Sequence, residues 1–263
     1  MKHQLHDKYV EAQLNAHDVS YPEIRHGAII GISPGNIGEA IAERLFAREE
    51  WLSVAGTNKK AHNCWFPDQC IDFLTEAGQG DPGVIDTLIV CAATTHLDWF
   101  ENYMLDDQVE VLHDTLLCPM VATQQFVRTT LHTPWVKHIA YIGSMAYTKV
   151  LNASAPYCAA KAGLAHFARC MAWELGPKGY RVFIVHPGNV LDSPMTKVTV
   201  EGIARYRDIG MEDAYAYWAS AEPPMGFLSR HEIAAVVESL VTDENENWAH
   251  AVGSQIELAG GMR

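Results

Sequence analysis

Apolar residues in this chain fall into short continuous runs, separated by longer stretches with helical spacing. The runs Ala28-Ile29-Ile30-Gly31, Leu52-Ser53-Val54-Ala55 and Asp86-Thr87-Leu88-Ile89-Val90-Cys91-Ala92 read as strands buried on both faces. Val136 to Ile142 and Arg181-Val182-Phe183-Ile184-Val185-His186 read the same way, and Gly253-Ser254-Gln255-Ile256-Glu257-Leu258 as a final strand. Helical periodicity covers Glu39 to Arg48, about Asp106 to Leu131, 155–175 and 231–242. Pro119 predicts an irregularity in the second of these, and Gly176-Pro177-Lys178-Gly179 ends the third. Residues 57–83 are the least regular; Cys64-Trp65-Phe66 reads as a short edge strand and Asp68 to Ala77 as a short helix. Strands alternating with helices predict a single α/β domain built on a doubly wound parallel sheet. The polar residues 1–26 read as an extension or arm, 27–263 as the domain, and 189–228 as an excursion with helical pieces.

Ligands of such sheets sit beyond the carboxyl ends of the strands, where Gly31, Ala92, Ser144 and Pro187 all fall. The segment Gly31-Ile32-Ser33-Pro34-Gly35-Asn36-Ile37-Gly38 joins a strand to a helix, and its small residues let a phosphate approach the backbone. Alone, it reads equally as a turn that needs glycine; the sheet pattern favours a dinucleotide. The absence of a Lys-Ser/Thr ending argues against a nucleoside triphosphate loop. The second strand runs into Gly56-Thr57-Asn58-Lys59-Lys60, without the carboxylate that would hold both ribose hydroxyls of NAD. A hydroxyl, an amide and two lysines suit a 2′-phosphate, so NADP(H) is expected in preference to NAD(H). The lysines read alternatively as a solvated face.

Tyr157 and Lys161 lie one helical turn apart on one face, with Ser144 upstream at a strand end. A fixed positive charge beside a phenol favours phenolate, which would equip Tyr157 for proton transfer. Each residue alone also reads as ordinary surface or loop; the combination carries the chemistry. His186 and Asp192 follow Ser144, but no Gly-x-Ser-x-Gly elbow surrounds it, which argues against a hydrolase.

The 263 residues are 48% hydrophobic and carry a net charge of −13, values that suit a globular chain and disfavour nucleic-acid binding. None of the 6 cysteines forms a CxxC pair, and a cluster of Cys64, Cys70 and His62 is a weak metal candidate, so no metal is expected. The first residues contain no apolar signal core and no run is long enough to span a membrane, so a cytoplasmic setting is expected.

With these residues in view, the chain resembles the short-chain dehydrogenase/reductase family over nearly all of 27–263. The marks are Ser144, Tyr157-Cys158-Ala159-Ala160-Lys161 and Pro187-Gly188, with Cys91-Ala92-Ala93 similar to the family's Asn-Asn-Ala-Gly segment and Leu258-Ala259-Gly260-Gly261 to its closing segment. The resemblance implies a Rossmann-like fold and alcohol–carbonyl interconversion. Ser144 would hold the substrate oxygen, Tyr157 act as acid/base, and Lys161 favour phenolate and hold nicotinamide ribose hydroxyls. Gly31, Ser33, Gly35, Asn36, Ile37, Gly38, Thr57, Asn58, Cys91, Ala92, Ala93, Pro187, Gly188 and Val190 would contact cofactor, and Asp68 the adenine. The family's relay asparagine corresponds to Thr115, beside Asp114. Family enoyl reductases have six residues between tyrosine and lysine; that tyrosine would fall at Ser154, so carbonyl chemistry is preferred. The glycine loop departs from Thr-Gly-x3-Gly-x-Gly, and the short stretch from Gly31 to Ala92 makes the third strand vestigial. A homodimer or homotetramer acting on a small alcohol or carbonyl compound is implied. The aromatic excursion from Met195 to Phe227 suits a lid over a moderately apolar substrate, or a subunit contact. The irregular loop and Thr115 motivate an alternative: a non-catalytic scaffold or nucleotide sensor with the same fold.

Overall fold

The computed structural model describes residues 24–58, 64, 66–191, 193–243 and 247–261. Among them, six strands form one parallel sheet: β1 (Arg25–Ile30), β2 (Trp51–Thr57), β3 (Thr87–Val90), β4 (Lys137–Ile142), β5 (Tyr180–Pro187) and β6 (Gln255–Leu258). Their order is β2-β1-β3-β4-β5-β6, so the winding reverses between β1 and β3, where a doubly wound sheet opens its crevice. The helices are α1 (Ile37–Phe46), α2 (Pro67–Ala77), α3 (Leu105–Leu112), α4 (Cys118–Thr130), α5 (Ala155–Leu175), α6 (Pro194–Arg207), α7 (Met211–Ala219) and α8 (Arg230–Val241).

The two-residue period of a strand sorts the continuous apolar runs into two cores. Ala28, Ile30, Leu88, Val90, Ile139, Tyr141, Val182 and Ile184 face α2, α4 and α5. Their neighbours Ile29, Ile89, Ala140, Ile142, Phe183 and Val185 face α1 and α8. A strand covered on both faces needs no polar alternation, which is why these strands read as unbroken apolar runs.

Two expectations are corrected, and one is made specific. First, β1 begins at Arg25, inside the segment read as an arm. Arg25 is fully buried: Nε donates to Asp86 Oδ1 at 2.8 Å and Nη2 to the Val241 carbonyl at 3.0 Å, with the guanidinium 4.9 Å from the Trp51 ring centroid. Such a buried pair depends on tertiary partners distant in sequence. Second, the edge strand expected at 64–66 does not form: Cys64 sits in a turn and Phe66 in a bend before α2, while Trp65 lies outside the described residues. Among the described residues no strand lies between Thr57 and Thr87, consistent with the short connection. The irregularity expected at Pro119 takes the form of a widened π turn over His113–Leu117, where the Cys118 N–H donates to the His113 carbonyl. Pro119, which begins the next segment, has no N–H for the Thr115 carbonyl and so favours this interruption. Most of residues 1–26, with Lys59, Lys60, His62 and Asp192, lie outside the described residues.

Candidate active site

The turn after β1 is held by close backbone packing. Gly31 has φ +94°, and a Cβ there would lie 2.5 Å from the Ala92 nitrogen, so the loops after β1 and β3 meet directly at this glycine. The N–H groups of Gly31 and Ile32 donate to the Thr57 carbonyl at 2.8 and 3.0 Å, and Asn58 Nδ2 donates to the Ile32 carbonyl at 3.2 Å. Thr57 and Asn58 therefore brace the turn and do not line the crevice. Ile32, where the family pattern has glycine, lies over Gly56; a Cβ at Gly56 would sit 1.8 Å from Ile32 Cδ1. Asn36 caps α1: its Oδ1 accepts from the Glu39 N–H at 3.0 Å and its Nδ2 donates to the Gly31 carbonyl at 2.7 Å. Ile37 lines the crevice, and its N–H, like that of Gly38, belongs to the first helical turn and has no acceptor within the helix.

On the other side, Ser144 ends the segment after β4 and caps a short 3-10 turn, its hydroxyl accepting from the Ala146 N–H at 3.1 Å. Tyr157 and Lys161 project from the first turns of α5. Both are buried, at 7% and 1% exposure, although they lie in a crevice wall. Lys161 Nζ donates to the Ile142 carbonyl at 2.8 Å and lies 5.7 Å from the Tyr157 ring centroid. Burial pushes the Tyr157 phenol up to about 12, an effect that the Ser144 side chain partly offsets. Burial pushes the Lys161 ammonium down to about 8, partly offset by Cys91. The phenol is therefore not acidified in this state: burial raises it, and the Lys161 ammonium is engaged by the Ile142 carbonyl.

A cavity of about 890 Å³ joins the two sides. Of the predicted site residues it is lined by Ser33, Asn36, Ile37, Cys91, Ala93, Ser144, Tyr157, Lys161, Pro187, Gly188 and Val190. Gly31, Gly35, Gly38 and Ala92 are not among the lining residues. A Cβ at Gly38 would lie 2.8 Å from the Gly31 carbonyl, the close helix–strand contact that a glycine permits. Asp68 is exposed in the first turn of α2 and is outside the lining. Thr115 is fully buried and clamps the loop after β3: its Oγ1 donates to the Thr94 carbonyl and accepts the Thr94 N–H, both at 3.2 Å. The predicted lid contributes Met195, Tyr206, Tyr217 and Trp218 to the lining, with Phe227 stacked on Trp218 at 4.5 Å.

Several lining residues were not anticipated. Ser193 caps α6 and Thr196 Oγ1 donates to the Val190 carbonyl at 2.5 Å, fixing the chain after Pro187-Gly188. The Ser193-Pro194 pair was a legible helix start. At the outer end His96 meets Glu110 at 3.0 Å, a contact between distant segments with no local signature. His186 is buried behind Ser144: its Nδ1 lies 3.2 Å from the Ser144 nitrogen and 3.0 Å from the Ser144 carbonyl oxygen, and Nε2 lies 2.8 Å from Gln255 Oε1. Burial lowers its pKa, an effect that the Gln255 and Ser144 contacts partly offset. Among the described residues no group of three or more His, Cys, Asp or Glu side chains is arranged to hold a metal ion.

The model of the family described as "Enoyl-(Acyl carrier protein) reductase" matches residues 67–262. The chain belongs to the short-chain dehydrogenase/reductase family of oxidoreductases. It is 28% identical to the 3-oxoacyl-[acyl-carrier-protein] reductase FabG of Salmonella typhimurium, over 89% of this chain and 95% of that protein. The FabG protein of Escherichia coli is 29% identical over the same shares, 89% and 95%. An actinorhodin polyketide ketoreductase variant solved with NADPH has the same fold, with TM-score 0.79 at 18% identity over 92% of this chain and 98% of that one. The solved ketoreductase thus shares the fold of this family member.

Proposed function

We propose that this chain interconverts an alcohol and a ketone or aldehyde by hydride transfer, using NADP(H) in preference to NAD(H), with Tyr157 as the acid/base group. The observation that carries the reading is a single cavity lined by both the turn residues Ser33, Asn36 and Ile37 and the chemical set Ser144, Tyr157 and Lys161. The residues fit a dinucleotide: Gly31 lets the two loops close up, Ile37 offers a backbone N–H at the wall, and Pro187-Gly188 and Val190 line the cavity between the turn and Tyr157. A bound nicotinamide supplies or accepts the hydride. Ser144 hydrogen-bonds the substrate oxygen. Tyr157 protonates that oxygen in reduction and takes the alcohol proton in oxidation. Burial raises the Tyr157 phenol, so in this state it carries its proton. Lys161 holds ribose hydroxyls and places its charge near the developing oxyanion.

The NADP(H) preference rests on the end of β2, where Thr57 and Asn58 stand without a carboxylate. Carbonyl rather than carbon–carbon double-bond chemistry rests on the Tyr157–Lys161 spacing and on Ser154 at the alternative tyrosine position; the FabG relatives are named as 3-oxoacyl reductases. The lid residues Met195, Tyr206, Tyr217 and Trp218 favour a moderately apolar substrate. A homodimer or homotetramer is supported by the exposed apolar side chains Leu105, Val109, Leu112, Met120 and Trp173 on α3, α4 and α5. Among the described residues no helix is long and apolar enough to cross a membrane. The packing of Ile32 over Gly56 favours a second reading, a nucleotide sensor without turnover.

The test is purified protein with NADPH and with NADH against a panel of ketones and aldehydes, followed by nicotinamide absorbance. Turnover that falls roughly 10²- to 10⁴-fold in Tyr157→Phe, with the fold intact, supports the assignment. Unchanged turnover in that variant removes Tyr157 from its role. Tight NADPH binding without turnover across the panel favours the sensor.

A further inference from the structure

Glu39 belongs to α1, yet its carboxylate folds back over the turn that precedes the helix. Its Oε2 accepts the Gly35 N–H at 2.7 Å and meets Arg230 Nη1, from the start of α8, at 2.9 Å. One carboxylate oxygen is therefore held by a backbone N–H of the glycine turn and by a guanidinium. That donor set, one turn N–H and one arginine fork, equally satisfies a phosphate oxygen. The group borders the crevice: a Cβ at Gly35 would meet nothing closer than Arg230 Nη1 at 3.7 Å, then Pro194, which lines the crevice, at 3.9 Å.

We propose that Glu39 occupies the seat of a dinucleotide phosphate, and that binding displaces its carboxylate and transfers the Gly35 N–H and Arg230 to a phosphate oxygen. The proposal rests on the nucleotide reading above. Arg230 then acts as a cofactor-binding cation and Glu39 as a built-in competitor. The energetics permit the exchange. The Arg230 and Glu39 side chains are 28% and 33% exposed, and solvent screens a pair this exposed, so little is lost in parting it. A phosphate group retains the same two donors and relieves the repulsion of a carboxylate facing an anion. The helix pair does not depend on the contact. Arg44 Nε meets Glu238 Oε2 at 2.6 Å farther along α1 and α8, and Ile41 and Val237 are fully buried between the helices and the sheet.

Isothermal titration of the full chain with NADPH and with NADH, compared across wild type, Glu39→Gln and Arg230→Gln, tests this without relying on turnover. Glu39→Gln is expected to bind dinucleotide roughly tenfold tighter and Arg230→Gln roughly tenfold weaker, with thermal midpoints of the ligand-free proteins nearly unchanged. Equal gains for NADH and NADPH assign the seat to the pyrophosphate; a gain confined to NADPH assigns it to the 2′-phosphate. A wild type that binds dinucleotide while Glu39→Gln binds it no tighter overturns the proposal and leaves the nucleotide reading standing. A wild type and a Glu39→Gln variant that both bind neither cofactor reject the nucleotide reading and this proposal together.

Discussion

Lys161 donates to the carbonyl of Ile142 at 2.8 Å, a residue at the end of the adjacent strand, while its own helix turns Tyr157 into the same cavity. The ammonium is thus positioned by backbone before any ligand arrives. Its charge is nonetheless costly where it sits, because a single carbonyl replaces much of its hydration.

That cost has a pH signature. Lys161 is pushed down to about 8 in the folded chain, against 10.5 when unperturbed. Between these values the unfolded chain binds a proton that the folded chain does not, so the Lys161 contribution to stability rises with pH and is lost as pH falls through about 8. Tyr157, raised to about 12 from 10.0, acts oppositely and weakens the fold as pH rises through that interval. Urea denaturation at about pH 7 and about pH 9.5 should show Lys161→Met gaining less from the alkaline shift than wild type. A parallel gain in both proteins would place the titration elsewhere, for example on Lys137, which burial also pushes down to about 8.

Ile32 and Gly56 are complementary in shape. Gly56→Ala should destabilise the chain by about 1–3 kcal/mol, because the new Cβ would fall 1.8 Å from Ile32 Cδ1. Ile32→Ala in the same chain should recover most of that loss. A double-mutant cycle by chemical denaturation reads the coupling, and additive effects would mean that the two side chains do not share this space.

Arg25 is joined to Asp86 with neither side chain more than 1% exposed. Arg25→Ala leaves a buried carboxylate without its cation and should cost about 3–5 kcal/mol by chemical denaturation. Arg25→Met together with Asp86→Leu should restore much of it, since neither buried charge remains.

His186 holds the backbone of Ser144 from behind. Nδ1 lies 3.2 Å from the Ser144 nitrogen and 3.0 Å from the Ser144 carbonyl oxygen, and Nε2 faces Gln255 Oε1 at 2.8 Å. His186→Ala should lower kcat about tenfold through the misplaced Ser144 hydroxyl while leaving dinucleotide Kd unchanged. Equal losses in both would indicate general loosening of the crevice instead.

Much of this was legible in one dimension. Continuous apolar strands imply two covered faces, and Ser144, Tyr157 and Lys161 stand at spacings that a strand end and a helix face interpret directly. The loop from 57 to 83 was not legible as an edge strand, because Phe66 and Pro67 serve the start of α2 instead. Asp68 was legible at the start of a short helix, but only the fold shows it exposed and outside the crevice lining. Thr115 stood at the expected position, but only the folded loop shows its hydroxyl spent on the Thr94 backbone.

By itself, the order of residues determined the alternation of strands and helices, the parallel sheet and the chemical identity of the catalytic candidates, because these follow from local periodicity and side-chain type. Only the tertiary structure decided that Tyr157 and Lys161 are desolvated, that Ile32 fits over Gly56, and that Glu39 meets Arg230 across 191 positions. Desolvation and contact between distant segments depend on what packs around a group, and no local spacing encodes that.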